Sequence, residues 1–449
     1  MRIYFYGATG MVTGSNFLLE VGSKKILIDC GLYQSTHFCD EKNFSPFPYN
    51  PADIFAVFIT HAHLDHTGRL PKLAREGFTG KIYSTLPTRD FAEPLLFDSE
   101  HVLRQESERA GLPPVYSADD VFKALSLWEG VPYHKKLDFG DFSIIFYDAG
   151  HILGSSSVVV ESGGKKIVFS GDLGNTPSPI IRPTEYVSGV EHCVIESTYG
   201  GRVHEDGGKR KDKLKAVIAE TVKAGGVLMI PAFAMERTQE LLYELNQFIE
   251  HKEIPPVPVF IDSPLAIKLT AVYEKYENYF NKETANLIKS GDDIFNFRGL
   301  HMTLSVEQSK EINNVPAPKI IIAGSGMSQG GRILHHEYRY LSDPKNAILF
   351  VGFQAVGSLG RRILDGEKTV RIFGEEIEVR AKVRAIGSYS AHADQPRLLS
   401  WLSHIGPSLR QVFLVHGEPE EAGALKKVAE SKLGARVVIP AADSVYDII

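Results

Sequence analysis

The chain has 449 residues, of which 43% are hydrophobic and 23% charged, and this composition excludes collagen-like, coiled-coil and largely disordered proteins. Acidic residues outnumber basic ones by 55 to 49, which excludes a globally basic nucleic-acid-binding protein but not a local basic groove. Three cysteines, Cys30, Cys39 and Cys193, are too few for a disulfide framework. With no apolar signal core after Met1 and no apolar run of membrane-spanning length, we expect a cytoplasmic protein without a membrane partner.

The first part of the chain is dominated by short β-branched runs bounded by turn residues. Such runs predict strands, and they lie at 26–28, 57–59, 144–146, 158–160 and 167–169. The Gly163-Gly164 pair predicts a hairpin between the last two. Helices are predicted over 65–76 and 119–128. Because strands outnumber the helices that interrupt them, this part of the chain is predicted to form a layered sandwich.

After about residue 208 the pattern changes to alternating helices and strands. Helices are predicted over 209–223, 237–250, 332–341 and 359–364, and strands over 227–230, 257–261, 319–322 and 347–351. This alternation is typical of a doubly wound parallel sheet in a second domain. Beyond residue 385 the chain returns to the first pattern, with strands at 412–415 and 437–439 around a helix over 418–433. We therefore expect domain segments 1–207, 208–385 and 386–449.

The strongest chemical signal is a cluster of three histidines and an aspartate directly after the strand at 57–59. His61, His63, Asp65 and His66 supply nitrogen and oxygen donors of the kind that zinc prefers. The alternative is a polar turn that happens to be rich in histidine. An abrupt change from strand to helix at this point favours metal binding.

Three further polar residues follow predicted strands in the same way. His151, Asp172 and His416 each lie beside a glycine, which permits close approach of the backbone. Taken singly, each is more often a structural residue than a ligand. Their shared position at strand ends makes one common metal site the better interpretation.

In this order, the motifs resemble the metallo-β-lactamase superfamily, and within it the β-CASP branch of RNA-processing nucleases. The match is to the polyadenylation-factor endonuclease and RNase J-like proteins of compact bacterial or archaeal type. It extends over nearly the whole chain, from Gly14-Ser15-Asn16 through Asp29 and the histidine cluster to His416, and includes Ser390-Ala391-His392-Ala393-Asp394. The resemblance implies a four-layer αββα sandwich with an inserted doubly wound α/β β-CASP domain.

The resemblance also implies a site with two zinc ions. His61, His63 and His151 would hold one ion, Asp65, His66 and His416 the other, and Asp172 would bridge them, whereas Asp29 would orient the histidine cluster without binding metal. Zinc-activated hydroxide would attack an RNA phosphodiester. His392, paired with Glu196, would protonate the leaving oxygen, so that Asp65, Glu196 and His392 are the expected catalytic residues. From the residues alone, Glu196 is equally well an ordinary loop or helix-cap carboxylate.

Two glycine-rich segments are candidates for gripping substrate. Ser325 and Gly326 follow a predicted strand and precede the predicted helix that begins at Arg332, and Gly357 likewise precedes the predicted helix that contains Arg361. Free N–H groups where such helices begin suit a phosphate. A plain tight turn is the alternative for the first segment. In the segment before Arg237, Glu236 stands where similar proteins usually carry glycine, which leaves the local loop shape in doubt.

These observations predict a zinc-dependent ribonuclease acting on RNA, most simply single-stranded RNA. The alternatives are an inactive or weakly active scaffold subunit of an RNA-processing complex, a DNA nuclease of the same branch, and a small-molecule hydrolase of the wider superfamily. All seven expected ligands are present, which disfavours the scaffold, and the large insert disfavours the small-molecule enzyme. The sequence leaves open the choice between internal and terminal cutting, the RNA target and the oligomeric state.

Overall fold

The computed structural model of the protein describes residues 1–34, 40–175, 177–205, 207–352, 354–355 and 357–448. The chain divides into two compact units. The first unit comprises Met1–Val203 and Ala391–Ile449, and the second comprises His204–Ser390. None of the helices in the described ranges has the length and apolar character of a membrane span. Cys30 and Cys193 are free and buried, whereas Cys39 lies outside the described residues.

The first segment of the first unit is rich in strands, which are β1 (Arg2–Phe5), β2 (Phe17–Val21), β3 (Lys24–Ile28), β4 (Ile54–Phe58), β5 (Lys81–Thr85), β6 (Trp128–Val131), β7 (Leu137–Asp138), β8 (Ser143–Asp148), β9 (Ser156–Ser162), β10 (Lys165–Phe169) and β11 (His192–Glu196). Its helices are α1 (Leu64–Thr67), α2 (Leu70–Arg75), α3 (Leu86–Ala110) and α4 (Ala118–Ser126).

The second unit alternates helix and strand. Its helices are α5 (Arg210–Lys223), α6 (Arg237–Glu250), α7 (Pro264–Lys275), α8 (Lys282–Lys289), α9 (Val306–Glu311), α10 (Ile333–Tyr340) and α11 (Leu359–Leu364). Its strands are β12 (Val227–Pro231), β13 (Val259–Asp262), β14 (Leu300–Met302), β15 (Lys319–Ala323), β16 (Ala347–Phe350), β17 (Thr369–Ile372), β18 (Glu375–Glu378) and β19 (Lys382–Ala385). The chain then re-enters the first unit with α12 (Gln395–Ile405), β20 (Gln411–Val415), α13 (Pro419–Leu433), β21 (Arg436–Val438) and β22 (Ser444–Asp447).

The first unit is a sandwich of two seven-stranded sheets, in the orders β22-β1-β2-β3-β4-β5-β6 and β21-β20-β11-β10-β9-β8-β7. Aromatic side chains of the two sheets meet in one core, where the rings of Phe17 and Phe169 lie 6.0 Å apart and those of Phe5 and Phe413 lie 5.1 Å apart. Helices α2–α4 cover the outer face of one sheet, and α12 and α13 cover that of the other. This confirms the four-layer αββα class.

The second unit contains a six-stranded sheet in the order β14-β13-β15-β12-β16-β19, in which every pair of neighbours is parallel. Strands β17 and β18 form a separate antiparallel hairpin. The β-branched runs of β12 and β15 are buried along their whole length, as expected for strands covered on both faces. The prediction of a doubly wound α/β insert is confirmed.

The prediction of one helix over 65–76 is wrong, because the segment forms two short helices, α1 and α2. The carbonyls of Asp65 and His66 accept hydrogen bonds from Ser15 N and Cys30 N, at 2.9 and 2.8 Å. The N–H of Arg69 donates to Cys30 O at 2.9 Å instead of continuing the helix. Pro71, at the start of α2, has no N–H to donate.

Two further helical expectations need correction. The helix predicted over 119–128 ends at Ser126, and Trp128 instead begins β6, where it pairs with Ile82 of β5. The 25-residue helix α3 was missed, since Pro87 and Pro94 obscure its pattern. Pro87 is tolerated in the first turn, where its missing N–H costs nothing.

Candidate metal centre

The side chains of the candidate centre come from the ends of strands in both sheets of the first unit. Asp29 follows β3, His61 follows β4 by three residues, Asp172 follows β10 by three, and His416 follows β20 directly. Strands β3 and β4 are parallel, as are β10, β11 and β20, so the carboxyl ends of each set lie at one edge. Short helix α1 then carries Asp65 and His66 into the same place.

One group of ligand-type atoms belongs to His61, His63, His151 and Asp172, with all ligand atoms within 4.8 Å of one another. His63 Nδ1 lies 3.0 Å from His61 Nε2 and 3.3 Å from His151 Nε2. Asp172 Oδ2 lies 3.4 Å from His61 Nε2 and 3.7 Å from His151 Nε2. Three imidazoles and one carboxylate oxygen therefore converge on one point.

A second group consists of Asp65, His66 and His416, again with ligand atoms within 4.8 Å. His416 Nε2 lies 3.1 Å from Asp65 Oδ2 and 3.3 Å from His66 Nε2. The other oxygen of Asp172, Oδ1, lies 3.5 Å from His66 Nε2. The Asp172 carboxylate thus faces the first group with Oδ2 and the second with Oδ1.

The residues fit divalent cations on three observations. Asp172 Oδ1 is buried and has no hydrogen-bond partner among the described residues, a costly state unless a cation or proton satisfies it. Imidazole nitrogens of different histidines lie 3.0–3.3 Å apart, close enough to bind one cation together. Burial lowers the pKa of His61 to about 3 and that of His63 to about 4, which keeps both imidazoles in the neutral, ligating form.

The second group is more strongly charged. Although burial favours neutral imidazole, the carboxylates of Asp172, Asp29 and Asp65 raise the pKa of His66 to about 10. The pKa of His416 is likewise raised, against burial, by Asp172 and Asp65. A cation at this group would replace protons as the partner of these carboxylates.

Asp29 and Thr60 hold the histidines in orientation. Asp29 Oδ1 accepts a hydrogen bond from Thr60 N at 2.8 Å, and Asp29 Oδ2 lies 2.9 Å from Thr60 Oγ1 and 2.7 Å from His66 Nδ1. The contact between Asp29 Oδ2 and His66 Nδ1 turns His66 Nε2 toward the second group. Sequence reasoning missed Thr60, although it directly precedes the histidine cluster, and missed Thr198, whose Oγ1 lies 3.2 Å from His416 Nδ1.

Glu196 and His392 form a pair beside the two groups. His392 Nδ1 lies 3.3 Å from Glu196 Oε2 and 3.9 Å from Asp172 Oδ2. Burial opposes a charge on this imidazole, but Glu196 and, less strongly, Asp172 and Asp65 raise its pKa to about 9. Glu196 Oε1 also accepts a hydrogen bond from Leu173 N at 2.7 Å. Glu196 lies within ligand distance of Asp172 and His416 as well, so it has two chemical roles open to it.

Family models match three parts of the chain. The metallo-β-lactamase superfamily model matches residues 9–208, the Beta-Casp domain model residues 238–363, and the model of a Zn-dependent metallo-hydrolase RNA specificity domain residues 376–440. Ribonuclease TTHA0252 of Thermus thermophilus is 39% identical over 95% of this chain and 96% of its own length. The chain belongs to the β-CASP branch of the metallo-β-lactamase superfamily.

Other β-CASP relatives have different names. Transcription termination factor FttA of Methanosarcina mazei is 32% identical over 96% of this chain and 69% of its own length. An RNase J-like protein of Methanocaldococcus jannaschii is 31% identical over 92% of both chains. The crystal structure of a protein of unknown function from Enterococcus faecalis covers 99% of each chain with a TM-score of 0.57 at 12% identity, which shows a shared fold.

The five residues predicted to grip substrate all lie in the second unit of this β-CASP protein. Ser325 Oγ accepts hydrogen bonds from Gln329 N and Gly330 N, at 3.0 and 3.2 Å. Arg332 donates to Asp262 Oδ1, Thr303 O and Leu304 O, so its guanidinium is engaged within the protein. Sequence reasoning missed Asp262, whose two oxygens also accept from Thr303, Ser309 and His336.

In the segment that contains Gly357 and Arg361, polar side chains are likewise engaged within the protein. Ser358 Oγ accepts a hydrogen bond from Arg361 N and begins α11, and the Arg361 side chain pairs with Asp365 at 2.9 Å. Helix α11 has only six residues. The positive φ of 87° at Gly357 is a conformation that favours glycine.

Proposed function

We propose that this protein is a zinc-dependent ribonuclease that hydrolyses RNA phosphodiester bonds with two metal ions. His61, His63 and His151 would hold one ion, Asp65, His66 and His416 the other, and Asp172 both. The proposal is supported chiefly by the convergence of these seven side chains on two adjacent points in a member of a metallo-hydrolase family. A relative of nearly the same length that is named a ribonuclease supports RNA as the substrate.

Bound cations would supply Lewis acidity toward the phosphoryl oxygens and a nucleophile at neutral pH. The chain's own residues would supply the proton for the leaving group and the alignment of the metal ligands. Protonated His392 would donate its proton to the departing ribose oxygen and take one up again before the next cycle. Glu196 would hold His392 in the charged form through its contact with Nδ1. Asp29 and Thr60 would keep the ligands of the second group aligned.

The substrate is proposed to be single-stranded RNA, with residues 208–385 acting as an inserted domain that grips it. In the β-CASP branch, DNA-acting members generally replace the last motif histidine with an aliphatic residue, and here His416 occupies that position.

A cytoplasmic location stays a prediction from the sequence.

The test is incubation of zinc-loaded protein with end-labelled RNA and with DNA of matched sequence, reading fragment lengths over time. We expect RNA to be cut and DNA to be cut at least tenfold more slowly, and the fragment ladder will separate internal from terminal cutting. Intact RNA with fully metal-loaded protein would overturn the ribonuclease and favour a scaffold. Equal cutting of both strands would favour a general nuclease.

A further inference from the structure

The parallel sheet of the second unit has a topological switch point between β12 and β15. From β12 the chain crosses to β13, passing over β15, whereas from β15 it crosses to β16, passing over β12 in the opposite direction. The loops that follow β12 and β15 therefore leave the sheet in opposite directions and open a crevice at the carboxyl ends of these strands. Crevices of this kind are where open α/β sheets bind their ligands.

Phe233 lies in that crevice, in the loop directly after β12. Ala232 N donates to Ala323 O of β15 at 3.0 Å, and Thr238 Oγ1 donates to Phe233 O at 2.8 Å, so the loop is anchored on both sides of the aromatic residue. Phe233 is nevertheless 41% exposed. A large apolar side chain held in place yet exposed at a ligand-binding edge needs an explanation other than core packing.

Two glycines from neighbouring loops support the ring. A Cβ added to Gly326, after β15, would lie 2.8 Å from Phe233 Cδ2, and one added to Gly352, after β16, would lie 3.3 Å from Cε2. Only backbone without side chains can approach the ring so closely. Gln354, which is buried, donates from Nε2 to Gly326 O at 2.9 Å and to Gly352 O at 3.2 Å, and thereby ties the two supporting loops together.

We propose that Phe233, supported by Gly326, Gly352 and Gln354, is a stacking site for one nucleobase of the RNA substrate; this inference rests on the proposed ribonuclease function. An aromatic ring that is held in place and partly exposed accepts any base, because every base has a π face. Arg332, which follows β15 in the same segment as Gly326, already donates hydrogen bonds to Asp262, Thr303 and Leu304. We therefore expect this crevice to bind RNA by base stacking on Phe233 and not through the charge of Arg332.

The first test compares Phe233→Leu, Phe233→Ala and Phe233→Tyr in the full-length, zinc-loaded protein, with KM for a short single-stranded RNA and kcat measured separately. Leucine keeps an apolar side chain but has no aromatic ring, whereas tyrosine keeps the aromatic ring. We expect KM to rise about 5- to 150-fold in the leucine and alanine variants, the usual effect of losing one base–aromatic stack, and to stay within about twofold in the tyrosine variant. Phe373→Ala, which removes another exposed phenylalanine of the same unit, is the matched control and should leave KM unchanged.

The second test places a single abasic nucleotide at successive positions of the RNA and measures binding at equilibrium. One position should weaken binding to the wild-type protein and to Phe233→Tyr but have no effect in Phe233→Leu. An unchanged KM in Phe233→Leu, or an abasic penalty that survives in that variant, would overturn the stacking site while RNA cleavage by the wild-type protein leaves the proposed function standing. Wild-type protein that neither binds nor cuts RNA would overturn both.

Discussion

Asp29 controls one imidazole of the candidate metal centre without facing the cations that the centre would hold. Its backbone has a φ of 60°, a left-handed conformation that aspartate and asparagine adopt more readily than most residues. From that position its carboxylate contacts Thr60 and His66 at 2.7–2.9 Å. Both carboxylate oxygens are used, so the Asp29 side chain contacts Thr60, just after β4, and the candidate ligand His66 at the same time.

Asp29→Asn should therefore weaken zinc binding at the second group while leaving the fold intact. Asparagine keeps the shape and the tolerance of positive φ, but it lacks the charge that aligns His66, and losses of about 10- to 100-fold in metal affinity are typical for such contacts. Zinc titration against a competing chelator measures the change. Asp443→Asn is the matched control, since Asp443 is exposed and has a similar φ of 61°. Unaltered affinity in Asp29→Asn would contradict the orienting role.

The two roles open to Glu196 are separated by His392→Gln and Glu196→Gln. If the pair supplies the leaving-group proton, each variant should turn over RNA about 10²- to 10⁴-fold more slowly with unchanged zinc content. Turnover and elemental analysis on the same preparation measure both quantities. His404→Gln, a change at an exposed histidine, is the control. Loss of zinc in Glu196→Gln would instead make Glu196 a ligand and remove it from the proposed proton pathway.

At the scale of helices and strands, hydrophobic pattern predicted most of the elements, and its failures have physical causes. Helix α6 lies at 237–250 as predicted, because its apolar period is uninterrupted. The interruption between α1 and α2 could not be predicted, since it is caused by hydrogen bonds from Ser15 and Cys30, far away in sequence. Local pattern carries no information about such partners.

The loop before α6 illustrates a departure from the β-CASP pattern. Glu236 has a φ of 64°, a conformation for which glycine is the usual residue. Its buried carboxyl accepts a hydrogen bond from Tyr273 OH at 2.5 Å, and burial raises its pKa to about 8. The hydrogen bond with Tyr273 holds Glu236 in a backbone conformation that favours glycine.

A buried glutamate in α10 should make the stability of the second unit depend on pH. Glu337 is fully buried, Ser328 Oγ is its hydrogen-bond partner, and burial raises its pKa to about 8 from the ordinary value of 4.5. Because the folded state favours the protonated form, this group lowers stability progressively as pH rises from about 4.5 to about 8. Its second oxygen has no partner among the described residues, so the charged form is poorly accommodated.

Glu337→Gln should remove that pH dependence. We expect the variant and the wild-type protein to unfold at similar temperatures near pH 5, and the variant to be more stable by several degrees at pH 8, because glutamine never ionises. Thermal unfolding followed from pH 5 to pH 8 measures the difference. Glu376→Gln, at an exposed position of the same unit, should show no such divergence. A constant difference across this pH range would contradict the assignment.

At the scale of the whole molecule, ordered motifs predicted the fold class and the residues that converge in the centre, because the ends of strands in both sheets of the sandwich meet there. They did not predict how each polar group is engaged. The guanidinium of Arg332 is bound by Asp262 and by two carbonyls, which only the folded second unit brings together. The exposed ring of Phe233 likewise gains its support from Gly326 and Gly352, which belong to different loops.

Metal removal should affect the two units unequally, because all candidate ligands belong to Met1–Val203 and Ala391–Ile449. A cation that binds only the folded state adds about 4 kcal/mol of stability at a thousand times its Kd. Hydrogen exchange, compared with zinc and with a chelator, should therefore speed up on chelation in segments 59–67, 149–153 and 170–174 and around His416. Exchange in β12, β15 and β16 of the second unit serves as the internal reference and should change little. Faster exchange spread evenly over both units, or none in the first, would contradict a stabilising metal centre confined to the sandwich.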